Sequence, residues 1–162
     1  MSRILSIAAG TAFAVLVTTA SAQDEAALSG LKELKIAFDV TVGNSDALVR
    51  ELDVIDETRQ SLMKQAIKPS IVIGFLSGAT KLVQTDQSRI KPEDRANALQ
   101  IAAKIKSLHT AEGIAGIEQC SIAARLSGTN PEDVDPGITV VGNGWISLAA
   151  YQAKGYTYIS AD

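Results

Sequence analysis

The chain has 162 residues, of which 15 are Lys or Arg and 18 are Asp or Glu, so its formal net charge at neutral pH is −3. This mildly acidic balance, with no cluster of basic residues, argues against nucleic-acid binding, which depends on clustered positive charge. The only cysteine is Cys120 and the only histidine is His109. These counts exclude an intrachain disulfide and are too few for a zinc site of three or four such ligands.

The amino-terminal segment, residues 1–22, has the pattern of a signal peptide. Arg3 precedes an uncharged, largely apolar run over residues 4–17, and Ala20-Ser21-Ala22 is a small-x-small cleavage motif. The run is too short to span a bilayer comfortably, which favours cleavage after Ala22 over an uncleaved anchor. We therefore expect a periplasmic or secreted protein with no stable insertion in the membrane after cleavage.

The mature chain begins with a lead-in over residues 23–33, followed by one domain over residues 34–162. Residues 34–42 are apolar and β-rich, which predicts a strand. A helix follows, with Asp46 in its first turn and apolar residues at helical spacing, and Pro69 is predicted to end it. Residues 70–76 form a near-continuous apolar run of strand length.

The middle of the domain continues the alternation of strands and helices. Residues 84–91 are polar and predict a loop, and Pro92 suits the first position of a helix. Residues 114–119 predict a short strand with Cys120 at its end, and residues 121–126 predict a short helix.

The last part predicts a strand over 137–141, a helix over 145–154 that Gly155 caps, and a final strand over 156–159. Short apolar strands separated by helices are typical of a mostly parallel sheet that is covered on both faces. We therefore predict an α/β fold, a three-layer α/β/α sandwich with a five-stranded, mostly parallel sheet.

Loops rich in small and polar residues follow three of the predicted strands. They contain Asn44, then Ser77 and Gly78, then Gly142-Asn143-Gly144. The carboxyl ends of parallel strands meet at one edge of the sheet, and ligands bind in the crevice beyond them. Cys120 ends another strand, so the sequence predicts a site at this edge that contains Cys120.

Cys120 itself has two interpretations. Cysteine is among the most often buried residues, so its side chain can be an inert part of the core. A lone thiol in an oxidising compartment, however, calls for a reason. Cys120 also directly precedes a predicted helix, where unpaired N–H groups favour the nucleophilic thiolate. We expect such groups from Ser121 and from the turn 142–144, with Arg125 adding positive charge.

Other chemistries find little support in the sequence. His109 lies near the end of a predicted helix, away from the strand ends, and is interpreted as a surface or capping residue. There is no nucleophile-elbow motif, and Gly142-x-Gly144 lacks the third glycine of a dinucleotide fingerprint. No cofactor and no metal are predicted.

Four segments of the sequence match a known family in their order and spacing. These segments are Gly116–Leu126, Asp135–Val141, Gly142–Leu148 and Tyr151–Ile159. They resemble the DsrE/DsrF-like family of sulfur-relay proteins, and the resemblance extends from about Leu34 onwards.

This resemblance implies a five-stranded parallel sheet between helices and assembly into homotrimers or homohexamers. It also implies that sulfur is held as a persulfide on a cysteine at the end of the third strand, the position of Cys120. Many relatives carry His or Arg at the end of the second strand, whereas residues 75–78 supply no ionisable group here.

Two functional hypotheses follow. In the first, the protein is an exported sulfur carrier or sulfur-transfer accessory protein that uses Cys120 and exchanges sulfur with a donor or acceptor protein. In the second, it is a non-catalytic oligomeric module that binds a small ligand or a partner, and Cys120 is a structural residue. Enzymatic activity, which would be sulfurtransferase-like, is left open.

Overall fold

The computed structural model describes residues 24–162, and the predicted signal peptide lies outside this range. The five strands are β1 (Glu33–Val40), β2 (Lys68–Phe75), β3 (Ile114–Cys120), β4 (Thr139–Val141) and β5 (Thr157–Ala161). The helices are α1 (Glu25–Leu28), α2 (Ser45–Lys64), α3 (Arg95–His109), α4 (Ser121–Leu126) and α5 (Gly144–Ala153). Short 3₁₀ turns cover Ser77–Lys81, Gln87–Arg89 and Pro92–Asp94.

The five strands form one sheet in the order β4-β3-β2-β1-β5, and every neighbouring pair is parallel. The chain steps outward from β1 to β4 and then returns to place β5 on the other side of β1. Because crossovers between parallel strands are right-handed, the return connection lies on the opposite face of the sheet from the outward ones. The predicted three-layer α/β/α sandwich with a five-stranded parallel sheet is confirmed.

The main core lies between the sheet and the helices α2 and α3. Helix α2 buries Leu48, Leu52 and Ile55 at helical spacing, against alternate residues of the central strands such as Ile36 and Ile71. The intervening residues of the strands point to the other face, which α5 covers. There the buried cluster is much smaller and consists of Ala37, Leu76, Cys120 and Leu148. Cys120 therefore belongs to the thinner of the two cores.

Two sequence predictions need correction. Helix α2 does not continue to Pro69 but ends at Lys64, where Ala66 adopts a left-handed φ of 58° and Ile67 N–H donates to Leu62 O at 2.9 Å. This is a Schellman-type cap with alanine in the position that glycine usually takes. Pro69 instead is the second residue of β2, close to a strand start, where proline is tolerated.

The remaining boundaries differ by only a few residues. The predicted loop over 84–91 contains the short turn Gln87–Arg89, and a 3₁₀ turn at Pro92 precedes α3. Strand β4 is shorter than predicted, and β5 begins and ends later. The lead-in over residues 23–33 contains the four-residue helix α1.

Among residues 24–162, no helix has both the length and the apolar composition that crossing a membrane requires.

Candidate functional site

Cys120 lies at the junction of two elements. It is the last residue of β3 and the N-cap of α4, and its side chain is buried. Its Sγ accepts hydrogen bonds from the backbone N–H of Gly144 at 3.2 Å and of Ala123 at 3.4 Å. Two N–H groups from the starts of two helices therefore converge on one sulfur.

The donors differ in part from those predicted. Gly144, from the predicted turn 142–144, does donate to the sulfur, but Ser121 does not have this role. The physical reason is the geometry of helix caps, in which an N-cap side chain reaches the N–H two or three residues ahead. From Cys120, that position is Ala123.

Gly144 makes this contact because it lacks a side chain. A Cβ at this position would lie 2.9 Å from the Cβ of Cys120 and 3.0 Å from the Cγ of Leu76. Asn143 fixes the preceding turn as the N-cap of α5, since its side-chain oxygen accepts from Trp145 N–H at 3.0 Å. The start of α5 is thereby seated directly against the thiol.

Hydrogen bonds to Glu118 hold α5 in place against the sheet. Glu118, two residues before Cys120 on β3, accepts from the hydroxyl of Tyr151 at 2.8 Å and from that of Ser147. The pKa of Tyr151 is raised to about 12, first by burial and then by its hydrogen bond to the Glu118 carboxylate. Both donors lie on α5, so Glu118 ties this helix to the strand that carries Cys120. Sequence reasoning did not identify this cluster.

The loops after β1 and β2 pack backbone against backbone beside the site. A Cβ on Gly78 would lie 2.7 Å from the Cα of Gly43. Ser77 has a left-handed φ of 47°, and its carbonyl accepts from the hydroxyls of Thr80 and Ser127, at 2.7 and 3.1 Å. A strained non-glycine residue is thus held in place at the edge of the site by its neighbours.

These elements enclose a groove of about 560 Å³ with Cys120 in its lining. The residues that line it are Thr41, Leu76, Ser77, Cys120, Ile122, Ala123, Leu126, Ser127, Asn143 and Trp145. Most of these side chains are apolar and none carries a formal charge. The groove therefore offers a thiol, a few hydroxyl and amide groups, and an apolar wall.

The structure brings together some of the predicted site residues and leaves others outside. Ser77 and Asn143 line the groove with Cys120, and Gly78 and Gly144 support its walls. The remaining predicted residues, Asn44, Ser121, Arg125 and Gly142, are not among its lining residues.

Two of the outlying residues, Asn44 and Arg125, have a simple structural description, as does the only histidine. Asn44 caps α2, where its side chain accepts from Ala47 N–H at 2.8 Å. Arg125 is exposed, in the last turn of α4. His109 lies at the end of α3, where its ring approaches Gly137. In the part of the chain that the structure describes, no three His, Cys, Asp or Glu side chains are grouped so that they could hold a metal ion.

The rim of the groove is a feature that the sequence did not reveal. Leu126 and Trp145 line the groove and yet are 84 % and 76 % exposed, and Ile146, the next residue after Trp145, is 68 % exposed. We call these three residues the rim patch. Large exposed apolar side chains at a groove commonly mark a site of interaction.

Comparisons with known proteins support the fold. No protein-family profile matches the chain. An uncharacterised protein of Aquifex aeolicus is 28% identical over 126 residues, which cover 78% of this chain and 55% of that protein. The chain thus spans about half the length of this curated relative.

Two solved structures are similar to the described fold. One is the protein of unknown function MTH1491 from Methanobacterium thermoautotrophicum, with a TM-score of 0.59 and 17% identity, over 78% of this chain and 98% of the other. The other is the YchN protein of E. coli, with a TM-score of 0.53 and 14% identity, over 78% and 99%. The fold is therefore of the DsrE/YchN type, as the sequence resemblance implied.

The close approach at Gly144 gives the first prediction. In Gly144→Ala the new methyl group must displace Cys120 or Leu76, and we expect the free energy of unfolding to fall by about 1–3 kcal/mol. The matched control is Gly142→Ala, because a Cβ at Gly142 has no neighbour within 4 Å in the described part of the chain. Urea unfolding of both variants checks this expectation. Equal stability of the two variants would show that the contact between α5 and Cys120 is not tight.

Proposed function

We propose that the protein is a sulfur carrier that holds sulfur as a persulfide on Cys120. The observation that carries this proposal is the pair of backbone N–H groups, from Gly144 and Ala123, that donate to Sγ within a groove. A thiolate is the form of cysteine that accepts sulfur, and hydrogen bonds to the sulfur stabilise it. The DsrE/YchN-type fold agrees with this role but does not by itself assign it.

The proposed transfer consists of two balanced thiol–persulfide exchanges. The Cys120 thiolate attacks the outer sulfur of a donor persulfide R–S–SH, which forms Cys120–S–SH and releases R–S⁻. A thiolate of the acceptor then attacks the outer sulfur, takes it as a persulfide and returns Cys120 to the thiolate. The first step breaks one S–S bond and forms another, so no external oxidant or reductant is needed.

The composition of the groove favours a carrier over an enzyme. None of the lining residues is a general acid or base, and the end of β2 supplies Leu76 and Ser77. Any group that takes up or releases a proton must therefore belong to the sulfur donor or the sulfur acceptor. These two partners would also set the direction of sulfur transfer. The apolar wall formed by Leu76 and Ile122 would limit the access of water to a bound persulfide.

We also propose that the protein assembles into a homotrimer or homohexamer through the rim patch. Its three large apolar side chains are exposed in the single chain, and covering them would remove apolar surface from water. The same patch favours the alternative function, a binding module with a structural cysteine, if the chain proves to be inert towards sulfur donors.

Export of the chain is a further part of the proposal. It accounts for the signal-peptide pattern of residues 1–22.

Sulfur loading of Cys120 gives the second prediction. After treatment with a low-molecular-weight persulfide donor and removal of excess reagent, intact mass should show one added sulfur atom on the native protein. Cys120→Ser should show none, and Gly144→Ala should load more slowly because its hydrogen bond to Sγ is disturbed. Failure of the native protein to gain sulfur, together with a thiol that is alkylated only after unfolding, would favour the structural interpretation of Cys120.

The rim patch gives the third prediction. Size-exclusion chromatography with light scattering should give the mass of a trimer or hexamer for the native chain, and Trp145→Ser should shift it towards smaller species. Leu99→Ser is the matched control, because Leu99 is a large exposed residue that lies on α3, away from the groove. A monomeric native chain at all concentrations would contradict the proposed assembly.

The cleavage motif gives the fourth prediction. Full-length chain expressed in a Gram-negative host should appear in the periplasmic fraction with Gln23 as its first residue. Replacement of Ala20 and Ala22 by leucine should block this processing, because signal peptidase requires small residues there. An unprocessed chain in the cytoplasm would contradict the proposal.

A further inference from the structure

A second cavity, of about 480 Å³, opens near the groove at the carboxyl ends of the strands. Three of the residues that line it are basic, Lys81, Arg89 and Lys91, and one is acidic, Asp94. Ser127 lines both cavities, and its hydroxyl donates to Ser77 O at 3.1 Å, within the wall of the thiol groove. The two cavities are therefore neighbours with very different linings, one uncharged and one cationic.

The charges of the second cavity are only partly compensated. Asp94 is engaged by the hydroxyl of Ser45 at 2.6 Å, and Arg89 pairs with Asp86 at 3.2 Å. Among residues 24–162, neither Lys81 nor Lys91 forms an ion pair. Two ammonium groups thus remain available to an anion, and each can serve as a strongly hydrated point charge with three donors.

A buried amide adds a second, independent feature. Gln84 lines the cavity, is only 4 % exposed, and donates from Nε2 to Lys81 O at 2.9 Å. Its Oε1 is buried and has no hydrogen-bond partner among residues 24–162. An unsatisfied buried acceptor is costly, so a ligand with a hydroxyl or N–H donor would be favoured there. Leu82 and Ile90 supply apolar surface against which a carbon skeleton can pack.

From this lining we infer that the second cavity binds a small organic dianion that carries a hydroxyl group, of the phosphate-ester or dicarboxylate class. Lys81 and Lys91, the two basic side chains of the lining without an ion-pair partner among residues 24–162, match the two negative charges of a dianion, whereas Arg89 is already paired with Asp86. The inference does not depend on sulfur transfer, since Cys120 is not part of this cavity.

Isothermal titration of the full mature chain at low ionic strength tests this inference with two probes, glycerol 3-phosphate and malate, and with uncharged glycerol as the negative control. We expect saturable binding of at least one dianion, weakened tenfold or more in Lys81→Gln/Lys91→Gln. The matched control is Lys64→Gln/Lys106→Gln, which removes the same charge from the ends of α2 and α3 and should leave the Kd unchanged. The probe that binds more tightly identifies the preferred anionic group.

Two outcomes would overturn the inference. One is the absence of saturable binding for both dianions, and the other is an equal loss of affinity in the two double variants, which would indicate a general charge effect. Cys120→Ser should bind the dianion like the native chain. The two proposals can therefore fail independently, because Cys120→Ser should abolish sulfur loading and leave binding of the dianion unchanged.

Discussion

The contact between the start of α5 and the sulfur of Cys120 is the constraint on which the rest of the site depends. It requires a residue without a side chain at Gly144, since a Cβ would overlap Cys120 and Leu76. It also requires that α5 keep its position across the sheet, which the hydrogen bonds from Tyr151 and Ser147 to Glu118 secure. The electrostatic environment of the thiol is thus a product of helix packing, with backbone dipoles in the place that a basic side chain often takes.

The topology of the sheet explains why the thiol lies where it does. The outward crossovers place α2 and α3 on one face, where they build the large apolar core. The return through α5 leaves the other face with a single long helix and a small core that includes Cys120. A reactive group in the main core would be inaccessible, whereas this thinner layer leaves room for a groove beside it. The large apolar core that stabilises the fold and the layer that contains Cys120 therefore lie on opposite faces of one sheet.

The sequence predicted the fold and the place of the site better than it predicted the details of the site. Apolar runs of strand length and the alternation with helices were sufficient for the parallel sheet, and the position of Cys120 at a strand end followed from it. The end of α2 was misplaced because Ala66, in a left-handed conformation, gives no signal in a sequence, while Pro69 gives a misleading one. The sequence also predicted that the turn 142–144 would supply an N–H group to Cys120, but the role of Glu118 and the choice of Gly144 within that turn depend on how α5 docks, which local patterns do not encode. The donor Ala123, in contrast, follows from the cap geometry of a helix that was predicted correctly.

Trp145 combines two of the properties described above, since it lines the groove and is largely exposed, and it is the only tryptophan of the chain. An indole in water emits at longer wavelength than one in an apolar environment, so its emission reports directly on whether the mouth of the groove is open or covered. No other tryptophan contributes to this signal. The protein thus carries an intrinsic fluorescent probe beside its thiol, and occupancy of the groove can be followed in real time without a label.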